Sequence, residues 1–213
     1  MTAIEFQFDF ISPYAYLAWT QIHALADRHG VGVKPTPVLF AAFLNAHGHK
    51  GPAEIPPKRV YIFKDVMRTA AALGVPLQPP PTHPFNPLLG LRVASLDMEE
   101  EVRRELVDRL YAETWGGGVG LTDPVDVERI AALCGVPNAV ERAHTAESKQ
   151  RVRSQTERAL KGGTFGVPTM VIRGEIFWGY DSFAHLDRFL VGDDPLGPDD
   201  LEKWAHIVPS ATR

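Results

Sequence analysis

Cysteine is nearly absent: the 213-residue chain has one, Cys134, so no internal disulfide can form. That points to a reducing compartment, the cytoplasm. Long apolar runs are absent too. No stretch approaches the roughly 20 residues a membrane-spanning helix needs, so no membrane partner is expected. The start, Met1-Thr2-Ala3, lacks a basic segment followed by an apolar one, so no signal peptide is expected. Basic runs are missing, and the net charge is -4, which argues against nucleic acid. Gly116-Gly117-Gly118-Val119-Gly120 lacks the Lys-Ser/Thr of a phosphate-binding loop. His47 and His49 have no carboxylate or thiol nearby to complete a ligand set, so no metal is expected. No repeat or low-complexity tract appears.

What is present suits an ordinary globular chain, 45% apolar and 23% charged. The run Glu5 to Phe10 alternates like a strand. A helix follows from Pro13, with Ile22, Leu25 and Ala26 on one face, and Gly30 stops it. A second strand is expected over about Val33 to Leu39. Pro35 and Pro37 suggest an edge position for it. A polar loop covers about Ala46 to Pro57, and a helix resumes near Pro57 and ends at Gly74.

The five prolines between Pro76 and Pro84 read as an extended loop. Helices are expected at about Pro87 to Met98, Glu99 to Thr114, Pro124 to Cys134, Pro137 to His144 and Ala146 to Lys161. The period then returns to two. Met170-Val171-Ile172 and Ile176-Phe177-Trp178 form a hairpin across Arg173-Gly174-Glu175. Ser182 is positioned to cap a last helix, Phe183 to Leu190. The tail from Gly192 reads as irregular.

Ser12-Pro13-Tyr14-Ala15 carries the chemistry. Ser before Pro at a helix start is a common cap. The same N-terminus favours an anion, so a bound thiolate there would meet backbone N–H groups and the Ser12 hydroxyl. Gly166-Val167-Pro168-Thr169 reads either as a β-entry proline or as a groove in which Val167 offers its backbone to an extended peptide. In Trp178-Gly179-Tyr180-Asp181-Ser182, Asp181 or Ser182 reads as a helix cap or a polar ligand contact. His47, His49, Lys50 and Lys58 read as a solvated or an anion-binding loop. Cys134, in Ala131-Ala132-Leu133-Cys134-Gly135, reads as a small core residue. Nothing in the sequence places a histidine beside Ser12.

Together these residues carry a resemblance. Phe8-Asp9-Phe10-Ile11-Ser12-Pro13-Tyr14-Ala15-Tyr16-Leu17-Ala18 opens it. Pro57-Lys58-Arg59-Val60-Tyr61 and Phe85-Asn86-Pro87-Leu88-Leu89-Gly90-Leu91-Arg92 continue it. Gly163-Thr164-Phe165-Gly166-Val167-Pro168-Thr169 and Phe177-Trp178-Gly179-Tyr180-Asp181 close it. Over about residues 4 to 191 the chain resembles the 2-hydroxychromene-2-carboxylate isomerases, which are close to kappa-class glutathione transferases and the DsbA-like thioredoxin superfamily.

The resemblance implies an α/β, thioredoxin-like fold with an all-helical insertion between its βαβ and ββα halves. The expected division is 1–45 with 160–195 for the thioredoxin-like domain, 46–159 for the insertion and 196–213 for an irregular tail. Both positions of a Cys-x-x-Cys pair are changed, to Ser12 and Ala15, which excludes dithiol chemistry. The implied cofactor is glutathione. Ser12 would hold its thiolate, and Val167 beside a cis Pro168 would pair with the cysteinyl backbone. Tyr180, Asp181 and Ser182 would bind the γ-glutamyl end.

Lys58, His49 and Asn86 would contact a small aromatic substrate in a glutathione-dependent isomerisation. A homodimer is implied. Two departures stand out: His49 where the family has Asn after Gly, and Ser182 where it often has Arg. A kappa-like transferase and a non-catalytic peptide-binding module are the alternatives.

Overall fold

The computed structural model describes residues 2–197, 199–208 and 210. β1 (Ala3–Phe8) runs between two neighbours, and Ile4, Phe6 and Phe8 are fully buried. A turn over Asp9 to Ser12 leads into α1 (Pro13–Arg28), where Pro13 fills the first helical position, at which a missing N–H has no consequence. α1 buries Leu17, Ala18, Trp19, Ile22 and Leu25. The Trp19 ring lies 5.4 Å from Phe6. β2 (Gly32–Pro37) pairs parallel to β1. β3 (Thr169–Ile172) and β4 (Glu175–Trp178) form the expected hairpin, turning through Arg173 and Gly174 at φ 54° and 86°. Two consecutive positive φ values match the right-handed twist of the flanking strands. The sheet order is β2-β1-β3-β4, so β2 is an edge strand.

Both prolines of β2 face away from β1. The Gly32 N–H donates to Thr2 O at 3.2 Å and the Val38 N–H to Phe8 O at 2.9 Å. The even-numbered positions thus point inward, and Pro35 and Pro37 sit where no ladder donor is required.

The intervening helices are α2 (Phe40–His47), α3 (Pro56–Leu73), α4 (Leu88–Ala94), α5 (Glu100–Trp115), α6 (Pro124–Leu133), α7 (Ala139–Ala143) and α8 (Ala146–Lys161). Asp123 caps α6 by accepting the Val125 N–H, and Thr145 caps α8 through the Ser148 N–H. α9 (Phe183–Leu190) follows β4, and a short α10 (Glu202–Ala205) interrupts the tail. Side chains of β1, α1, α5, α6 and α9 share one apolar cluster. Among the described residues no helix is long and apolar enough to cross a membrane.

Three expectations need correction. α2 covers residues 40–45, to which the sequence assigned no element, and runs into 46–47, which were read as loop. Its N-cap is Leu39, which has no capping side chain; the Phe40 N–H is instead satisfied by Asp9, 31 positions away. A cap supplied from so far off leaves no local signal. Second, Ser182 does not cap α9 through its side chain. Its hydroxyl donates to Gly179 O at 2.8 Å, inside a 3-10 turn over Tyr180–Ser182. Third, α4 and α7 are shorter than expected, ending at Ala94 and spanning only Ala139–Ala143.

Candidate functional site

Topology gathers the site at one end of the sheet. β1 leaves that end into the turn that carries Ser12. β3 enters there, because Thr169 stands opposite Gln7, which puts Pro168 and Val167 beside the close of β1. β4 leaves there into Gly179 and the Tyr180–Ser182 turn, since Trp178 pairs with Thr169. That turn packs against α1. Ser12, Val167, Pro168, Tyr180, Asp181 and Ser182 therefore border one region.

Ser12 is the N-cap of α1, and its Oγ accepts the Ala15 N–H at 3.2 Å. Its own hydroxyl hydrogen has no acceptor among the described residues. A cap of this kind accepts with a lone pair and leaves one O–H to donate. The Val167–Pro168 peptide bond is cis. The Val167 side chain packs with Val38, Phe43 and Ala159, and its backbone N–H and C=O have no backbone partner among the described residues. The Pro168 carbonyl is taken by the Gly179 N–H at 2.9 Å. Gly179 has φ 83°, and a Cβ there would strike the Asp181 carboxylate. The positive φ favours glycine, while the Asp181 side chain could swing away from a Cβ.

The three substrate candidates sit differently. His49 follows the left-handed Gly48 at the end of α2, and its ring is 6.1 Å from that of His47. Lys58 lies in the first turn of α3. Both are exposed, and among the described residues neither side chain makes a hydrogen bond or ion pair. Lys58 is two turns, about 10 Å of helix rise, from Asp65, the point at which α3 meets α1. Asn86 accepts the Leu88 N–H at 3.1 Å, so its oxygen serves the start of α4. Among the described residues no hydrogen bond or ion pair links His49, Lys58 or Asn86 to Ser12. A cleft of about 320 Å³ between α2, α4 and α8, floored by Leu39, Leu88, Val152 and Leu160, includes none of the expected site residues.

Four residues near Ser12 were not singled out from sequence. Tyr14 donates to Asp65 Oδ2 at 2.7 Å, tying the first turn of α1 to α3. Burial, then the Asp65 hydrogen bond, then the charges of Asp65, Tyr61 and Asp181, hold the Tyr14 phenol well above its usual range. The reach of Asp181 to that phenol sets the Tyr180–Ser182 turn beside the start of α1. His83 reaches Ile11 O with Nε2 at 3.0 Å, its ring among Phe63, Phe85 and Trp115. A histidine does stand against the Ser12 turn, though nothing in the sequence placed one there. A carbonyl can only accept, so Nε2 carries the hydrogen. Burial, with help from Arg59, pushes the imidazole below its ordinary range, while the Ile11 bond opposes this.

Asp9 is completely buried. Its Oδ1 accepts the Ile11 N–H at 3.1 Å and its Oδ2 the Phe40 N–H at 2.9 Å. Burial lifts this carboxyl to about 7, against the lowering effect of those two N–H groups. The one signal that could have found Asp9 is a carboxylate between two core phenylalanines. Cys134 is buried, and desolvation raises its thiol, as suits a core residue rather than a nucleophile.

Comparison with known proteins agrees with this fold. The family model for the DSBA-like thioredoxin domain matches residues 3–191. A 2-hydroxychromene-2-carboxylate isomerase of Sphingobium xenophagum is 30% identical over 193 residues, 88% of this chain and 97% of that protein. Glutathione S-transferase kappa 1 of Caenorhabditis elegans is 26% identical, covering 93% of this chain and 94% of its own. Among solved structures, a 2-hydroxychromene-2-carboxylate isomerase superimposes with a TM-score of 0.81 at 24% identity, covering 89% of this chain and 95% of that one.

Proposed function

The chain belongs to the DsbA-like thioredoxin domain family, and we propose that within it this protein is a glutathione-dependent isomerase. Its substrate class is 2-hydroxychromene-2-carboxylate or a related product of aromatic degradation. The observation that carries this reading is the Ser12 cap. It offers an uncommitted O–H at a helix N-terminus, with no thiol at position 12 or 15. Such a group stabilises another molecule's thiolate and cannot form a disulfide.

When bound, glutathione would supply a thiolate that adds to a conjugated carbon and so turns the double bond into a single bond, about which rotation precedes the elimination that returns the thiolate. Ser12 donates to the sulfur, and the first N–H groups of α1 add their positive end. Val167 gives its free N–H and C=O to the cysteinyl backbone. Asp181 receives the γ-glutamyl ammonium. Ser182, already donating to Gly179, has lone pairs left to accept. Tyr180 closes the turn against Phe183, ring to ring at 5.0 Å. Lys58 and His49, both exposed, would meet the substrate carboxylate, and the Asn86 amide N–H is free for a substrate oxygen. The reading includes a cytoplasmic homodimer.

Calorimetric titration of glutathione into the wild type and Ser12→Ala tests it. Binding in the micromolar-to-millimolar range, with a proton released near neutral pH, is expected. The release should vanish in the variant, and kcat should fall about 10- to 1000-fold, the scale of losing one oxyanion donor. Wild-type protein that binds no glutathione would end this reading. The kappa-class relatives support a second: transfer of glutathione to an electrophile. That activity consumes glutathione; isomerisation leaves it unchanged.

A further inference from the structure

Three consecutive carbonyls precede Ser12, and each receives a donor. Asp9 O accepts the Ser12 N–H at 3.1 Å, with the Tyr111 hydroxyl at a longer 3.5 Å. Phe10 O accepts Trp115 Nε1 at 2.8 Å, and Ile11 O accepts His83 Nε2 at 3.0 Å. Tyr111 and Trp115 come from the last turns of α5, and His83 from the segment between α3 and α4. None lies within 70 residues of the turn they hold, as the separations of 72, 102 and 105 positions show. From the other side the Asp9 carboxylate takes the Ile11 and Phe40 N–H groups. The Ile11 residue is thus clamped at both its N–H and its C=O.

We infer that Asp9 and His83 are positioning residues, which clamp Ile11 between a buried carboxylate and an imidazole and so set where Ser12 stands at the N-terminus of α1. Asp9 does more than shape a local turn. Through Phe40 it ties α2 to the same carboxylate, so α2 and the Ser12 turn share one anchor. His83 ties that turn to the helical block.

The roles follow from the donor and acceptor inventory. Asp9 is saturated as an acceptor only in part, since a carboxylate offers about four lone-pair sites. Among the described residues it gains no cationic partner, which fits its raised pKa. The titratable groups facing it are Tyr111 of α5 and, across Ile11, His83. Beside it, the Thr156 hydroxyl of α8 holds the Leu39 N–H. The charge acting on His83 is Arg59 of α3. The His83 Nδ1 is buried without a partner, so protonating it gains no acceptor. Burial holds the imidazole below its ordinary range, and Nε2–H donates to Ile11 O.

The test reads the clamp first without any ligand. In ¹H–¹⁵N spectra of the free wild type, the Ile11, Ser12 and Phe40 amides should shift with one common midpoint near pH 7. That step should be missing in Asp9→Asn. Ile11 and Phe40 amides that keep their wild-type positions in Asp9→Asn, unrelated midpoints, or a step that survives in the variant would refute the role of Asp9. Should Asp9→Asn not fold, the ¹³C titration of the wild-type Asp9 carboxyl must share the amide midpoint, and a different midpoint refutes it equally.

The second readout rests on the proposed glutathione site. It is the acidity of bound glutathione, followed by thiolate absorbance near 240 nm. His83→Phe keeps an aromatic ring but loses the donor, and should weaken thiol acidity about three- to tenfold. His83→Gln, whose amide can donate from the same reach, should recover most of it. Equal acidity in wild type and His83→Phe, or no recovery in His83→Gln, removes His83 from the clamp. Failure of the wild type to bind glutathione refutes the functional reading; the amide titration still decides Asp9, and Ile11 and Ser12 amides that do not move in ligand-free His83→Phe remove His83 from the clamp.

Discussion

Asp9 should make the protein less stable as pH rises through neutrality. Its carboxyl has an ordinary value of 3.8 and is lifted to about 7 in the fold, chiefly by burial. Between those values the folded state binds a proton that the unfolded chain has released. Stability then falls with pH. The contribution is fully present below about pH 4 and is lost by about pH 7. Each tenfold change in acidity corresponds to about 1.4 kcal/mol, so the whole effect is on the order of 4 kcal/mol. With a urea dependence of about 2 kcal/mol per molar, the unfolding midpoint of the wild type should drop by roughly 2 M from this group alone.

Asp9→Asn removes the titration. One amide oxygen can still accept one N–H, but the amide NH₂ faces the other, which leaves a donor unpaired and costs about 1–3 kcal/mol. The variant should therefore be the weaker protein near pH 5 and equal or better near pH 8. Urea unfolding followed by tryptophan fluorescence suits the test, because Trp19 and Trp115 are both buried. Contributions of other groups are common to both proteins and cancel in the difference. A constant gap between the two midpoints from about pH 4.5 to 8.5 would refute the reasoning.

Two further outcomes are expected. Gly179→Ala forces a side chain into a positive φ and against Asp181; it should weaken glutathione binding at least about threefold by calorimetry, and unchanged binding would separate this turn from the site. Tyr14→Phe deletes the bond to the half-exposed Asp65 and should lower stability by about 1 kcal/mol in urea unfolding, a loss that double substitution with Asp65→Asn would not deepen.

Elements whose signals are local were legible in the sequence. Pro13 and Pro124 at first helical positions, Gly30 and Gly74 at helix ends, and Arg173-Gly174 in the hairpin each state their geometry within a few residues. So do the alternating phenylalanines of β1. What escaped was held together across the chain. α2 has no cap of its own because Asp9 supplies one, and Ser182 turned its hydroxyl back to Gly179 instead of forward into α9. The site shows the same division. Ser12, Val167 and Asp181 follow from motif and topology, since strand order alone carries them to one end of the sheet. His83 sits in a proline-rich stretch that reads as featureless loop, and nothing near it in sequence announces Ile11. Asp9 stood in view, but only the packed structure shows that water never reaches it.

The two outward prolines of β2 govern how this sheet can grow. A strand added to an exposed edge needs donors as well as acceptors along its length. Along the outer rim of β2 the ring nitrogens of Pro35 and Pro37 have replaced two of these donors, and only Val33 retains an outward N–H. That rim is chemically sealed against strand addition, whether by a misfolded copy, an extended peptide or a fibril end. Any association that extends the sheet has to begin at β4, where Trp178 and the hairpin stand.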